Sequence, residues 1–165
     1  KLGETLVDKL KPYVGVRGKA AQQRIDKLGD LTITKAEAAE IDSAVFDFEK
    51  KKLTNNFKTV IGRDFNKEPK NVQEALIIAA YNLGSSPTAK TSLFSYKGKM
   101  SNFAKQIKAK DYKAAAKNLS TWTRKAAVGL QKRRRTEGDL LAGRITSKQF
   151  IDRLNVNLAN IKVGK

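Results

Sequence analysis

The sequence predicts a mostly α-helical protein in which one central buried helix is surrounded by amphipathic ones. Three observations predict it. Apolar residues recur every three or four positions over much of the chain, the period that gives a helix one buried stripe. The only prolines, Pro12, Pro69 and Pro87, fall where a helix should begin or end. No segment carries a convincing hairpin signal, which would need alternating residues about a turn dipeptide.

Gly18 to Leu28 is rich in Ala, Gln and Lys, good helix formers, and Gly29 follows as a stop. Thr34-Lys35-Ala36-Glu37 reads as a capping box: the Thr34 hydroxyl accepts a first-turn N–H, and Glu37 reaches back to the cap. A helix from about Lys35 to Phe57 follows, with Ala38, Ile41, Val45 and Phe48 expected to form one buried stripe. Pro69 starts the next helix. Its run Val72, Ala75, Leu76, Ile78, Ala79, Ala80, Leu83 is apolar nearly all round, so Val72 to Leu83 is expected to be the most buried segment, ended by Gly84. Met100, Phe103, Ala104 and Ile107 mark another helix, and Asp111 caps one from Tyr112 to Leu119. A helix from about Lys125 to Leu141 carries Val128, Leu130, Leu140 and Leu141 and stops at Gly143. Ser147 is expected to cap a last helix through Phe150, Ile151, Leu154 and Leu158.

The length of 165 residues fits one domain, 1–165, that can bury roughly 70% of its unfolded surface without disulfide or metal support. With no Cys and no His, thiol catalysis, Ser-His-Asp triads and the usual zinc sites are excluded. No cofactor and no metal site is expected. No apolar run approaches the ~20 residues of a membrane-spanning helix.

The net charge is +18, and it is lopsided. Residues 1–60 carry 12 basic and 9 acidic side chains, residues 61–165 carry 22 and 7. Between Pro87 and Arg135 there are 14 basic residues and one acid, Asp111. Such a field attracts a polyanion, whether nucleic acid or the bacterial envelope. Its candidate surface is Lys105, Lys108, Lys110, Lys113, Lys117, Arg124, Lys125, Arg133, Arg134 and Arg135. Three consecutive arginines cannot share one helix face, so at least one of the three should be structural.

Three segments in order carry a resemblance. The first is Ile33-Thr34-Lys35-Ala36-Glu37-Ala38, followed by Asp42 and Val45. The second is Ala75-Leu76-Ile77-Ile78-Ala79-Ala80-Tyr81-Asn82-Leu83-Gly84. The third runs from Leu119 through Trp122 and Gly129-Leu130-Gln131-Lys132-Arg133-Arg134-Arg135 to Gly143. Together they resemble the phage-type lysozyme family, with its T-even phage lysozymes and pesticin-like muramidases. The opening Leu10-Lys11-Pro12-Tyr13-Val14-Gly15-Val16-Arg17-Gly18-Lys19-Ala20-Ala21 is similar to the pesticin-like branch. The resemblance covers about residues 9–143. It reads 1–33 as a linker or remnant of an N-terminal lobe, 34–143 as a lysozyme-like helical body, and 144–165 as a C-terminal helix outside it.

The resemblance implies a muramidase that hydrolyses bacterial peptidoglycan. It places Tyr81 and Asn82 on the floor of the glycan cleft, with Trp122 stacking on a sugar and Asn118 nearby. The plainer reading has Tyr81 and Trp122 in the core and Asn82 at a helix end. It also implies that an acid, Glu137 or Asp139, holds one arginine of the triplet internally. The family's general acid, a Glu, and its Asp and Thr partners lie upstream of the segment where this chain begins. Glu4 is the one candidate acid here, out of its expected Glu-Gly context, so the chain alone is expected to be inactive. The alternative is a catalytically inactive lysozyme fold that serves as a virion component or binds polyanions. Expected partners are peptidoglycan, other polyanions including nucleic acid, the rest of its own polypeptide, or other virion proteins. The expected setting is a phage virion or a secreted toxin acting in the bacterial periplasm.

Overall fold

The computed structural model describes residues 3–29, 31–122 and 128–159, the last five without side-chain detail. Among the described residues are eight α-helices, two short 3-10 turns and one small antiparallel hairpin, so the fold is mostly α. The chain divides into two compact units, Lys1–Phe48 and Glu49–Lys165. The division falls inside a helix, and not near residues 33 or 143 where the sequence places its segment boundaries.

The first unit holds α1 (Glu4–Leu10), a 3-10 turn at Lys11–Tyr13, α2 (Gly18–Leu28) and the start of α3 (Lys35–Ile61). Pro12 sits in the 3-10 turn, where its lost N–H matters least. Gly29 ends α2 at φ 86°, and the Tyr13 hydroxyl donates to its carbonyl at 3.0 Å. The capping box forms as read: Glu37 N–H donates to Thr34 Oγ1 at 3.2 Å, and Thr34 N–H donates to Glu37 Oε2 at 2.8 Å. Lys9 Nζ adds bonds of 2.9 Å to both Glu37 oxygens. The Thr34 N–H, then Lys9, hold the Glu37 carboxyl at about 2, down from 4.5. Its folded value lies below its unfolded one, so the contribution is complete above about 4.5 and is lost as pH falls through about 2. Thr34→Ala should cost about 1 kcal/mol, read as a lower thermal midpoint of this unit.

The expected stripe on α3 is corrected here. Ala38, Val45 and Phe48 are exposed and Ile41 is half-buried. The only fully buried side chain of this unit among the described residues is Leu6. Helical period identifies a face, but burial of that face depends on what packs against it. The stripe that is buried lies further along α3, at Leu53, Phe57 and Ile61.

Those three residues open the core of the second unit. Phe57 meets Phe65 edge-on at 5.4 Å between centroids and Phe94 at 6.2 Å. Against them packs α4 (Lys70–Leu83), which buries Val72, Ala75, Leu76, Ala79 and Ala80. It is a wide stripe and not an all-round one: Ile77, Ile78 and Leu83 are half-buried against the core, and Tyr81 is 49% exposed.

A hairpin that sequence reading did not find follows: β1 (Ser95–Tyr96) pairs antiparallel with β2 (Lys99–Met100). Lys97 and Gly98 both take left-handed φ, 51° and 74°, which a two-residue type I′ turn requires. Gly98 was the only turn signal, because Lys is unusual at the first position.

Then come α5 (Asn102–Lys108), α6 (Tyr112–Thr121), α7 (Val128–Leu141) and α8 (Ser147–Ala159). Ser101 and Asp111 cap α5 and α6 by accepting from Ala104 and Ala114 N–H. The close packing of α6 on α7 needs Gly138, where a Cβ would lie 2.7 Å from the Ala116 carbonyl oxygen and 2.1 Å from Ser120 Oγ. Residues 125–127, the expected start of α7, lie outside the described residues. Val128 and Leu130 are exposed rather than core, being in the first turn of α7. Gly143 stops α7 region at φ 70°, as read.

The cap of α8 is Thr146 and not Ser147. Gln149 N–H donates to Thr146 Oγ1 at 3.3 Å, and Thr146 N–H donates to Gln149 Oε1 at 2.9 Å. Thr146-x-x-Gln149 is a capping box, whereas three residues after Ser147 stands Phe150. Ser147 Oγ donates to Glu74 instead. Phe150 is buried and Leu154 half-buried, but Ile151 is 55% exposed. The Leu158 side chain lies outside the described residues.

Candidate functional site

The loop from Gly84 to the hairpin is held by serines whose hydroxyls replace absent secondary structure. Ser92 Oγ donates to the Ser86 carbonyl at 2.6 Å and accepts from Phe94 and Ser95 N–H. Ser95 Oγ donates to the Ala89 carbonyl at 2.6 Å. Ser101 Oγ donates to the Leu93 carbonyl while capping α5. All three serines are buried, so each bond is shielded from competing water. The result is a fixed base for the hairpin.

A cavity of about 500 Å³ lies between that hairpin, the start of α5 and the end of α6. The hairpin supplies Tyr96, Lys97 and Lys99; α5 supplies Asn102 and Lys105; α6 and its cap supply Asn118 and Trp122. Tyr96 is 53% exposed, and Lys97 Nζ sits 5.5 Å from its ring centroid. Trp122 is half-buried, with Phe103 edge-on at 6.1 Å. It thus serves both the core and the cavity wall. Among the described residues, three ammonium groups line the cavity and no carboxylate does. Such a lining offers aromatic faces, amides and positive charge. It has no group able to give a proton to a leaving oxygen in the way a carboxylic acid does.

Of the sequence-predicted residues, Asn118 and Trp122 come together here. Tyr81 and Asn82 are exposed near the end of α4 and do not line this cavity; Asn82 Nδ2 donates back to the Ile78 carbonyl at 3.1 Å. Glu4 is exposed at the first position of α1, in the other unit. Lys105, Lys108, Lys110, Lys113 and Lys117 are all exposed. Arg124 and Lys125 lie outside the described residues.

The arginine triplet divides as its helix geometry requires. Arg135 is exposed. Arg133 is half-buried and donates through Nε to Glu137 Oε1 at 3.0 Å. Arg134 is 1% exposed and pairs with Glu137 Oε2, so it belongs to the interior and not to the basic surface. Glu137 is the internal acid; Asp139 instead holds Arg144 at 2.9 Å and Arg153 at 3.3 Å. Burial pushes the Glu137 carboxyl up, against the pull of both guanidiniums.

A second buried cluster went unread. Arg63 Nε donates to Glu68 Oε1 at 2.9 Å, and its two terminal nitrogens donate to the carbonyls of Ile107 and Lys108, the C-terminal end of α5. The Tyr112 hydroxyl donates to Glu68 Oε2, and burial together with that carboxylate pushes Tyr112 to about 12. The cluster ties the α5–α6 corner to the segment after α3. Residues 44 apart or more carry no local pattern that would reveal it. Tyr96, Lys97 and Lys99 were missed because the hairpin was missed, and Asn102, at the start of α5, because only the hairpin opposite makes it a wall.

A family model described as Pesticin: bacterial toxin homologue of phage lysozyme, C-term, matches residues 1–113. The match takes in the first unit, the part of the second up to residue 113 and the hairpin side of the cavity, and it ends before Asn118 and Trp122. Searches of curated proteins and of solved structures found no match.

Proposed function

Because the chain belongs to the Pesticin family of bacterial toxin homologues of phage lysozyme, we propose that it is the helical body of a peptidoglycan-degrading muramidase and that it holds the glycan without cleaving it unaided. The observation that carries this reading is the cavity joining Asn118 and Trp122 to an exposed tyrosine, with ammonium groups around it and no acid among the described residues of its lining. An aromatic face suits a sugar ring, the amides of Asn102 and Asn118 suit its hydroxyl and N-acetyl groups, and the lysines suit a polymer that bears carboxylates. Glycoside hydrolysis needs two positioned carboxyl groups. Glu4 is exposed and makes no side-chain hydrogen bond or ion pair among the described residues, which gives it no support for that work. We place the protein's action in the bacterial periplasm, as part of a phage virion or a secreted toxin.

Purified sacculi should retain the chain without being cleared. Trp122→Ala should weaken retention about tenfold, since truncating an aromatic anchor commonly costs over ~1.4 kcal/mol. Trp122→Phe controls for the lost packing on Phe103, and Asn118→Ala tests the same α6 wall one turn away from the tryptophan. Sacculi cleared by the wild-type chain but not by Glu4→Gln would overturn the non-catalytic part. Equal retention of wild type, Trp122→Ala and Asn118→Ala would remove the cavity from the reading.

The excess of exposed lysines favours a second reading, a lysozyme fold that serves as a polyanion binder. DNA retained at ~0.15 M salt, where the Debye length is about 8 Å, with sacculi unbound would favour it.

A further inference from the structure

We propose that the outward faces of α5 and α6 form a docking surface for an anionic phospholipid membrane. Lys105 and Lys108 lie one turn apart on α5, Lys113 and Lys117 one turn apart on α6, and Lys110 stands at the corner between them. All five are exposed. The opposite faces of the same helices bury Phe103, Ala104 and Ile107, and Ala115, Ala116 and Leu119. The packing that seats the helices therefore fixes which side the ammonium groups occupy.

None of these lysines makes an ion pair with a described carboxylate. The one acid in the stretch, Asp111, is committed to the cap of α6. The corner is also rigid, because Arg63 bonds the carbonyls of Ile107 and Lys108 and Glu68 holds both Arg63 and Tyr112. The charge is thus uncompensated and mounted on a fixed frame.

The chemistry of the face selects its partner. Lysine carries a hydrated point charge and lacks the arginine fork that grips individual phosphates. No large apolar side chain is exposed on either helix, so the face has nothing to stack on a base and nothing to sink into acyl chains. A two-helix face of hydrated ammonium groups matches the diffuse negative field of a headgroup layer, which it meets without entering.

Co-sedimentation with vesicles tests this. The wild-type chain should bind vesicles of phosphatidylcholine mixed with phosphatidylglycerol, and not phosphatidylcholine alone, at ~0.15 M salt. It should be released near ~1 M, where the Debye length falls to about 3 Å. A lysine beside an anionic leaflet raises partitioning about fivefold, so the quadruple variant K108Q/K110Q/K113Q/K117Q should lose at least about a hundredfold. Its thermal melt should match the wild type. Lys105 is left in place because it also lines the cavity, and Trp122→Ala should bind these vesicles normally, which separates this surface from the glycan site. Unchanged binding by the quadruple variant would overturn the proposal. So would equal binding to phosphatidylcholine alone, or displacement from the vesicles by duplex DNA that itself binds more tightly, which would assign the face to a phosphodiester polymer.

Discussion

Glu137→Gln is expected to destabilise the C-terminal unit by about 3–5 kcal/mol, because it strands a guanidinium that is 1% exposed without its counter-charge. Arginine cannot escape by losing its proton in a folded protein. Arg134 Nε, a donor, already lacks a partner among the described residues, so the site has no acceptor to spare. Arg134→Met should cost less, since the remaining carboxyl can take up a proton and Arg133 still reaches it at 3.0 Å. The two variants should differ in pH dependence as well. An acid pushed up by burial binds more protons folded than unfolded, so Arg134→Met should lose stability as pH rises through and above about 4.5. Glu137→Gln has no such group and should be flat there. The pair replaced together, Arg134→Met with Glu137→Leu, should recover most of the loss. Urea unfolding on either side of that pH reads all three. A Glu137→Gln protein as stable as wild type would mean that the buried guanidinium does not depend on this carboxylate, its i,i+3 partner within α7.

Phe57→Ala should cost about 3–5 kcal/mol, the usual range for removing a buried phenylalanine. Phe57 is fully buried and touches two further rings, Phe65 and Phe94, that cannot close the gap without moving the turn and the loop that carry them. Phe46 stands eleven residues earlier on the same helix, about three turns, and so at nearly the same angle about the axis. It is 44% exposed, and Phe46→Ala should change stability by about 0.5 kcal/mol. Denaturation of the two variants side by side checks the pair. Similar costs would show that the first half of α3 is covered in solution.

That contrast also explains what could be read from the sequence. The box at Thr34 and Glu37, the cap at Asp111 and the stop at Gly29 are decided within four residues, and all were legible. Phe46 and Phe57 look alike to any periodicity, because what separates them is the material packed over each. The choice of Thr146 over Ser147 was legible in principle, since only Thr146 has an amide three residues on. The hairpin was hidden by a lysine in a left-handed position that Asn or Gly usually fills. The site inherited that gap. Asn118 and Trp122 were named from the sequence and line the cavity, but their neighbours Tyr96 and Lys97 reach it through a loop whose serine hydroxyls bond backbone six or eight residues away.

The contact at Gly138 gives the cavity an unexpected ruler. Asn118 and Trp122 ride on α6, and α6 is seated on α7 at the point where Gly138 offers no side chain. A methyl group there would have to lift α6 away from α7, because a backbone carbonyl blocks it on one side. The wall bearing the tryptophan would shift with it relative to the hairpin. The width of the opening is therefore gauged from behind, by a hydrogen atom on the far side of the helix, and a chain with Ala at this place would present a cavity of different width without altering one residue that lines it.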